Sequence, residues 1–226
     1  QARLPQVQRH RLGGGPICGA CLKALCTEEQ IRELSKLLDL GEQSFDSFSL
    51  DYYSPLPWPG ESLSPRENME FIFDVCSSYA RKFGRFYFRN LFLTGARLGK
   101  TFLSACIARV VSEDGFSVVY DTAGHVFSQF ESAKFRRDDD GDTAGEDVER
   151  CMNCDLLILD DLDPDDHILR SERLYQIVNT RQMERRSTII STNLTPGELA
   201  RRYTPQIASR IEGEYTAALR ERISGS

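Results

Sequence analysis

No apolar run in the chain approaches the roughly 18 residues that a membrane-spanning helix needs, and no charged-then-apolar leader opens it at Gln1, so neither a membrane protein nor a secreted one is expected. Positive charge is not in surplus. Lys and Arg number 28 against 34 Asp and Glu, a net charge of -6. That excludes a protein that coats nucleic acid by bulk charge, and any DNA contact needs a local patch. There is no internal repeat and no low-complexity segment. The seven cysteines, at 18, 21, 26, 76, 106, 151 and 154, do not pair evenly and read as reduced thiols of a cytoplasmic protein. What remains is an ordinary globular composition, 40% apolar and 27% charged over 226 residues. It suits one medium domain, or one domain with an appendage.

Residues 1–41 form the appendage. Its first 26 residues carry Arg3, Arg9, Arg11 and Lys23, no acid, and a Gly13-Gly14-Gly15-Pro16 break. Thr27-Glu28-Glu29-Gln30 has capping-box form, and Ile31, Leu34, Leu37 and Leu38 follow at helical spacing. Residues 42–226 form the main domain. It opens on a Pro- and Gly-containing stretch whose Phe45, Phe48, Tyr52, Tyr53 and Trp58 predict a segment packed onto the domain. Ser64-Pro65-Arg66-Glu67 is a second capping box, leading into an apolar face of Met69, Ile72, Phe73, Cys76, Tyr79, Ala80 and Phe83. Short, continuously apolar strands are expected at 90–95, 117–120, 155–161 and 188–193, with helices at 101–111, 126–135 and 171–184. Further helix starts lie at Thr195-Pro196 and Thr204-Pro205. Residues 137–149, with seven acids, predict a solvated loop. Strands that alternate with helices and are apolar throughout predict an α/β fold with a parallel sheet covered on both faces.

Ligands of such sheets bind beyond the carboxyl ends of the strands, and three strands here end in reactive groups. Gly95-Ala96-Arg97-Leu98-Gly99-Lys100-Thr101 lies between a strand and a helix. Glycines let backbone amides turn toward a phosphate, and the helix N-terminus adds its dipole. Lys100 would meet the outer phosphates, and the Thr101 hydroxyl a Mg²⁺ ion. The pattern G-x-x-x-x-G-K-[ST] is not met in full, because Thr94 stands five residues before Gly99. Asp160 and Asp161 end an apolar strand as a Walker B site does. Asp160 would hold Mg²⁺, and Asp161 would orient or deprotonate the attacking water. Asn193, at a third strand end, can align that water. Lys134-Phe135-Arg136-Arg137 mixes an aromatic with cations, which suits single-stranded nucleic acid and equally a solvated helix end.

The blocks NLFLTGARLGKTFLSACIA (90–108), DLLILDDL (155–162), LYQIVNTR (174–181), TIISTNL (188–194) and RYTPQIASRIEGEY (202–215) resemble, in order, AAA+ ATPases of the bacterial replicative-helicase loader type (DnaC/DnaI-like). The resemblance spans roughly residues 42–215. It implies a P-loop NTPase (AAA+) three-layer fold with a five-stranded parallel sheet, ATP and Mg²⁺ as cofactors, and self-association. It also implies the replicative helicase and single-stranded DNA as partners. Carried over by position, Lys100 and Thr101 match Walker A, Asp160 and Asp161 Walker B, Asn193 sensor 1, and Arg210 the arginine finger that reaches a neighbour's ATP. The departures are a loop shortened by one residue with Arg97 in the turn, Asp163-Pro164 where glycine is usual, and a curtailed C-terminal lid. They motivate an alternative, a degenerate nucleotide-fold adaptor without turnover. Transposition-helper ATPases, a less close resemblance, are a second alternative. Related loaders carry a four-cysteine zinc site. Cys18 and Cys21, with Cys26 following, supply at most half of one, and tetrahedral zinc needs four ligands, so zinc is not expected.

Overall fold

In a computed structural model of the chain, residues 43–85, 90–95, 99–135, 143–162 and 168–217 are described. The arm, the residue 27–38 helix and the Cys18–Cys21 pair therefore lie outside the described residues. So does the residue 218–226 end of the expected lid.

Five strands form one parallel sheet: β1 (Asn90–Leu93), β2 (Val118–Thr122), β3 (Leu156–Leu162), β4 (Ser187–Thr192) and β5 (Tyr215–Ala217), in the order β2-β3-β4-β1-β5. Every residue of β1 is buried, and all of β3 except Asp161. That is the reason these strands are apolar throughout rather than alternating. Among the described residues seven α-helices precede or connect them: α1 (Pro65–Lys82), α2 (Lys100–Glu113), α3 (Ala123–Phe135), α4 (Thr143–Asn153), α5 (Ile168–Met183), α6 (Pro196–Arg202) and α7 (Pro205–Glu214). The two faces of the sheet have separate cores. On one, Leu91, Leu93 and Ile158 meet Met69, Ile72 and Cys76 of α1 and Leu103 and Ile107 of α2. On the other, Phe92, Leu157 and Leu159 meet Val126 and Phe130 of α3, Ile177 of α5 and Ile207 of α7.

The expected helix starts are formed as chemistry requires. Ser64 Oγ accepts from the Glu67 amide while Glu67 Oε2 accepts from the Ser64 amide at 2.8 Å, with Pro65 opening the helix. Thr195 and Glu198 repeat the device at α6. Each box satisfies two amides that helix geometry leaves without partners.

Two expectations need correction. The acidic stretch is not all loop, since α4 begins at Thr143 and runs to Asn153. Gly145, Val148, Cys151 and Met152 recur at helical spacing; Cys151 is buried in the second core, with Val148 and Met152 packed on it. The acids remain on the wet side, where Asp147 pairs with Arg150 at 3.5 Å. Burial of that stripe outweighs the repulsion among the carboxylates. Residues 136–142 lie outside the described residues.

The aromatic segment before α1 also packs only in part. Phe45 is buried, and Phe48 stacks on Phe73 at 5.0 Å and lies 5.7 Å from Phe102. Tyr52 is 89% exposed and Trp58 50%. The Ser49-capped turn Leu50–Tyr52 sends Tyr53 inward, against the first core, and leaves Tyr52 outside.

Candidate nucleotide site

Because β4 lies between β3 and β1, the three reactive strand ends are neighbours at one edge of the sheet. β1 runs into Thr94 and Gly95, and α2 leaves from Gly99. Gly99 caps that helix in the left-handed region, φ 69°, and as a glycine offers no side chain to it. Among the described residues the first-turn amides have no side-chain acceptor, the condition for receiving an anion. The left-handed φ favours glycine there, and a Cβ would also crowd the Tyr53 phenol oxygen, at 3.2 Å.

Lys100, the first residue of α2, reaches back across the edge. Its Nζ donates to the Gly95 carbonyl and, at 2.9 Å, to Asn193 Oδ1. The ammonium is partly buried, and desolvation lowers its pKa from the ordinary lysine value while Asp160 and Asp161 pull it upward. One cation, two carboxylates and one amide therefore share a single field.

Asp160 is nearly buried, and both its oxygens accept from hydroxyls: Tyr120 at 2.5 Å and Ser191. Asp161 is exposed and adopts φ 51°, at a register irregularity between β3 and β4. Thr101 follows Lys100 in the first turn of α2, on the side of the Tyr120 phenol. Thr94 earns its place in the sheet rather than in the loop. Its buried hydroxyl donates to the Leu194 carbonyl, tying the end of β1 to the end of β4. A glycine there would lose this tie.

The expected site residues Gly95, Gly99, Lys100, Thr101, Asp160, Asp161 and Asn193 thus come together. Arg210 does not join them. It lies on α7, where its guanidinium covers the Tyr175 ring at 5.5 Å and donates to Gln182 Oε1 at 2.9 Å. Ala96, Arg97 and Leu98 lie outside the described residues, as do Arg136, Arg137 and the side chains of Lys134 and Phe135. Among the described residues no group of three or more His, Cys, Asp or Glu could hold a metal by itself, and no helix is long and apolar enough to cross a membrane. Cys151 and Cys154 are buried core thiols. Tyr120 and Ser191 escaped the sequence reading. Their only signal was a hydroxyl within a strand, Tyr120 in VVYDT and Ser191 in STIIST.

The family described as IstB-like ATP binding protein matches residues 87–208, more than half of the chain. The chain belongs to that family. No curated protein matches it. Among solved structures, this IstB-like chain is similar to DnaI, with a TM-score of 0.62 at 17% identity over 79% of this chain and 91% of that one. It is also similar to the DnaC helicase loader, with a TM-score of 0.59 at 19% identity over 78% and 98%. AMPPCP-bound DnaA from Aquifex aeolicus gives 0.59 at 19% identity over 78% of this chain and 50% of that one. The IstB-like chain spans about half the length of that DnaA chain and of a matched DNA replication initiation factor. At such identities the likeness establishes the P-loop AAA+ fold.

Proposed function

We propose that this IstB-like protein binds ATP with Mg²⁺ at the Gly95–Thr101 edge and couples nucleotide state to loading of a replicative helicase on single-stranded DNA. The observation that carries the nucleotide reading is Lys100. Its ammonium is held at the strand edge by Gly95 and Asn193, within the field of Asp160 and Asp161 and at the start of a helix. A cation so placed has no structural charge partner at bonding distance among the described residues and is poised for phosphate oxygens.

The residues present fit a Mg²⁺ ion bound together with a nucleotide. Asp160 is a buried carboxylate with lone pairs to spare beyond its two hydroxyl donors, and Thr101 offers a hydroxyl nearby. Mg²⁺ keeps several waters and takes only one or two carboxylates besides phosphate, so the lack of a larger acidic cluster is no obstacle. Bound there, it would supply charge neutralisation for the β- and γ-phosphates. Lys100 would bind the outer phosphates, moving from Asn193 to do so. Asn193, released, would orient the attacking water, and Asp161 would accept a proton from it. Arg210 from a second copy would complete the charge stabilisation. Every part is positioning and electrostatics, as phosphoryl transfer requires. The partner reading draws on the fold shared with the DnaC helicase loader and DnaI.

Calorimetry of Mg²⁺-ATP binding on the chain and on Lys100→Ala tests this. Binding in the parent that is lost in the variant is the expected result. No binding to either would overturn the reading and leave the adaptor without turnover as the better account.

A further inference from the structure

Asp160 sits at the tip of β3 with 6% of its surface exposed. A carboxylate buried so far must have its charge satisfied by neighbours. It is satisfied from two different strands. The Tyr120 phenol, from β2, donates to Oδ2 at 2.5 Å, and the Ser191 hydroxyl, from β4, donates to Oδ1. Ser191 Oγ also accepts from the Asp161 amide at 3.0 Å. This occurs where the β3–β4 ladder is interrupted between Leu159 and Leu162 and Asp161 turns to φ 51°. The serine therefore replaces the missing ladder bond and fixes both acids of the pair. On the other side, the buried phenol holds the carboxylate from β2.

We propose that Tyr120 and Ser191 are positioning residues that set the plane of the Asp160 carboxylate, so that it takes Mg²⁺ together with the nucleotide. The inference rests on the Mg²⁺-nucleotide reading above. Each carboxylate oxygen has about two acceptor sites, so one internal donor per oxygen leaves room for a metal or its water. Groups that orient a metal ligand commonly govern affinity by about 10–100-fold.

The test measures the affinity of the full chain for a fluorescent ATP analogue with and without Mg²⁺, in the parent, Tyr120→Phe and Ser191→Ala. The readout is the ratio of the two affinities, which a loss of packing alone would not change. Tyr120→Phe keeps the ring in the first core and removes only the donor. The expected result is a fall in that ratio by about tenfold or more in each variant. A ratio within twofold of the parent's in Tyr120→Phe overturns the inference while leaving the nucleotide site standing. A parent that binds nucleotide with no gain from Mg²⁺ overturns the metal reading and this inference together.

Discussion

Among the described residues Arg181 is the largest side chain buried without measurable exposure, and its removal gives the sharpest test of how this fold is held. It leaves the last turn of α5 and spreads its guanidinium over two elements, in five hydrogen bonds from three nitrogens. Nη1 donates to the carbonyls of Cys151 at 2.8 Å, Met152 at 3.0 Å and Cys154 at 3.1 Å, which close the C-terminus of α4. Nη2 donates to the Ser187 carbonyl at 2.6 Å, and Nε to Thr188 Oγ1 at 3.0 Å, both on β4. Its ion pairing is with a helix end instead of a carboxylate, the negative pole of α4. Arg181→Met keeps much of the volume and supplies no donor. The Met152 carbonyl then loses its donor, the Cys151 carbonyl keeps only the Cys154 thiol and the Cys154 carbonyl only Arg186 Nη1, each at 3.5 Å. The Ser187 carbonyl and the Thr188 hydroxyl lose theirs as well, at about 1–3 kcal/mol for each group left unpaired. Against that stands the relief of one desolvated charge, so the expected net loss is about 3–5 kcal/mol. Arg181→Lys retains the charge but cannot span both elements, and should lose roughly half as much. Urea unfolding followed by circular dichroism measures both. Trp58, the single tryptophan, is a poor reporter because it is half exposed. An Arg181→Met midpoint within about 1 kcal/mol of the parent would refute the reasoning, showing that desolvation of the guanidinium cancels everything its hydrogen bonds contribute.

Thr94→Gly, which restores the full phosphate-loop pattern on paper, should lower stability by about 1–3 kcal/mol in the same assay, because it deletes the buried bond to the Leu194 carbonyl and loosens the backbone. Glu67 is held below its ordinary 4.5 by the Ser64 backbone amide first and the Ser64 hydroxyl second. Its cap is therefore fully present above pH 4.5 and is lost as the pH falls below that through the depressed value. Unfolding curves of Glu67→Gln and parent should accordingly converge toward acid and separate above pH 4.5. Burial pushes the thiols of Cys76, Cys106 and Cys151 up to about 12, and that of Cys154 upward as well. Alkylation of the native protein at pH 8, mapped by mass spectrometry, should leave these four unmodified until denaturant is added.

Much of the fold is legible because local chemistry and tertiary demand agree. Capping boxes at Ser64 and Thr195 start helices where they stand, and unbroken apolar runs become strands buried on both faces. The site is legible for a related reason. Parallel strands must end at one edge, so Lys100, Asp160 and Asn193 had to converge once the strands were placed. What stayed hidden depends on neighbours. α4 was masked by its acids because its stripe is apolar only against the second core. Tyr52 and Tyr53 are adjacent and chemically alike, and only the turn decides which is inside. Ser191 and Tyr120 read as strand residues until Asp160 is set between them. Arg181 reads as an ordinary helix-end cation until α4 is there to receive it.

The strand order also carries a cost in time. β1 is made early, yet its partners are β4 and β5, and the Thr188 amide reaches Asn90 across 98 residues of chain. At a synthesis rate of roughly 5–20 residues per second, β1 waits about 5–20 s for its first neighbour strand. Throughout that interval Leu91, Phe92 and Leu93, all buried in the finished sheet, form an unpaired sticky edge on a nascent chain. The step that closes the nucleotide edge is therefore also the step that ends the protein's exposure to aggregation, and chaperone dependence during translation should be governed by the arrival of β4.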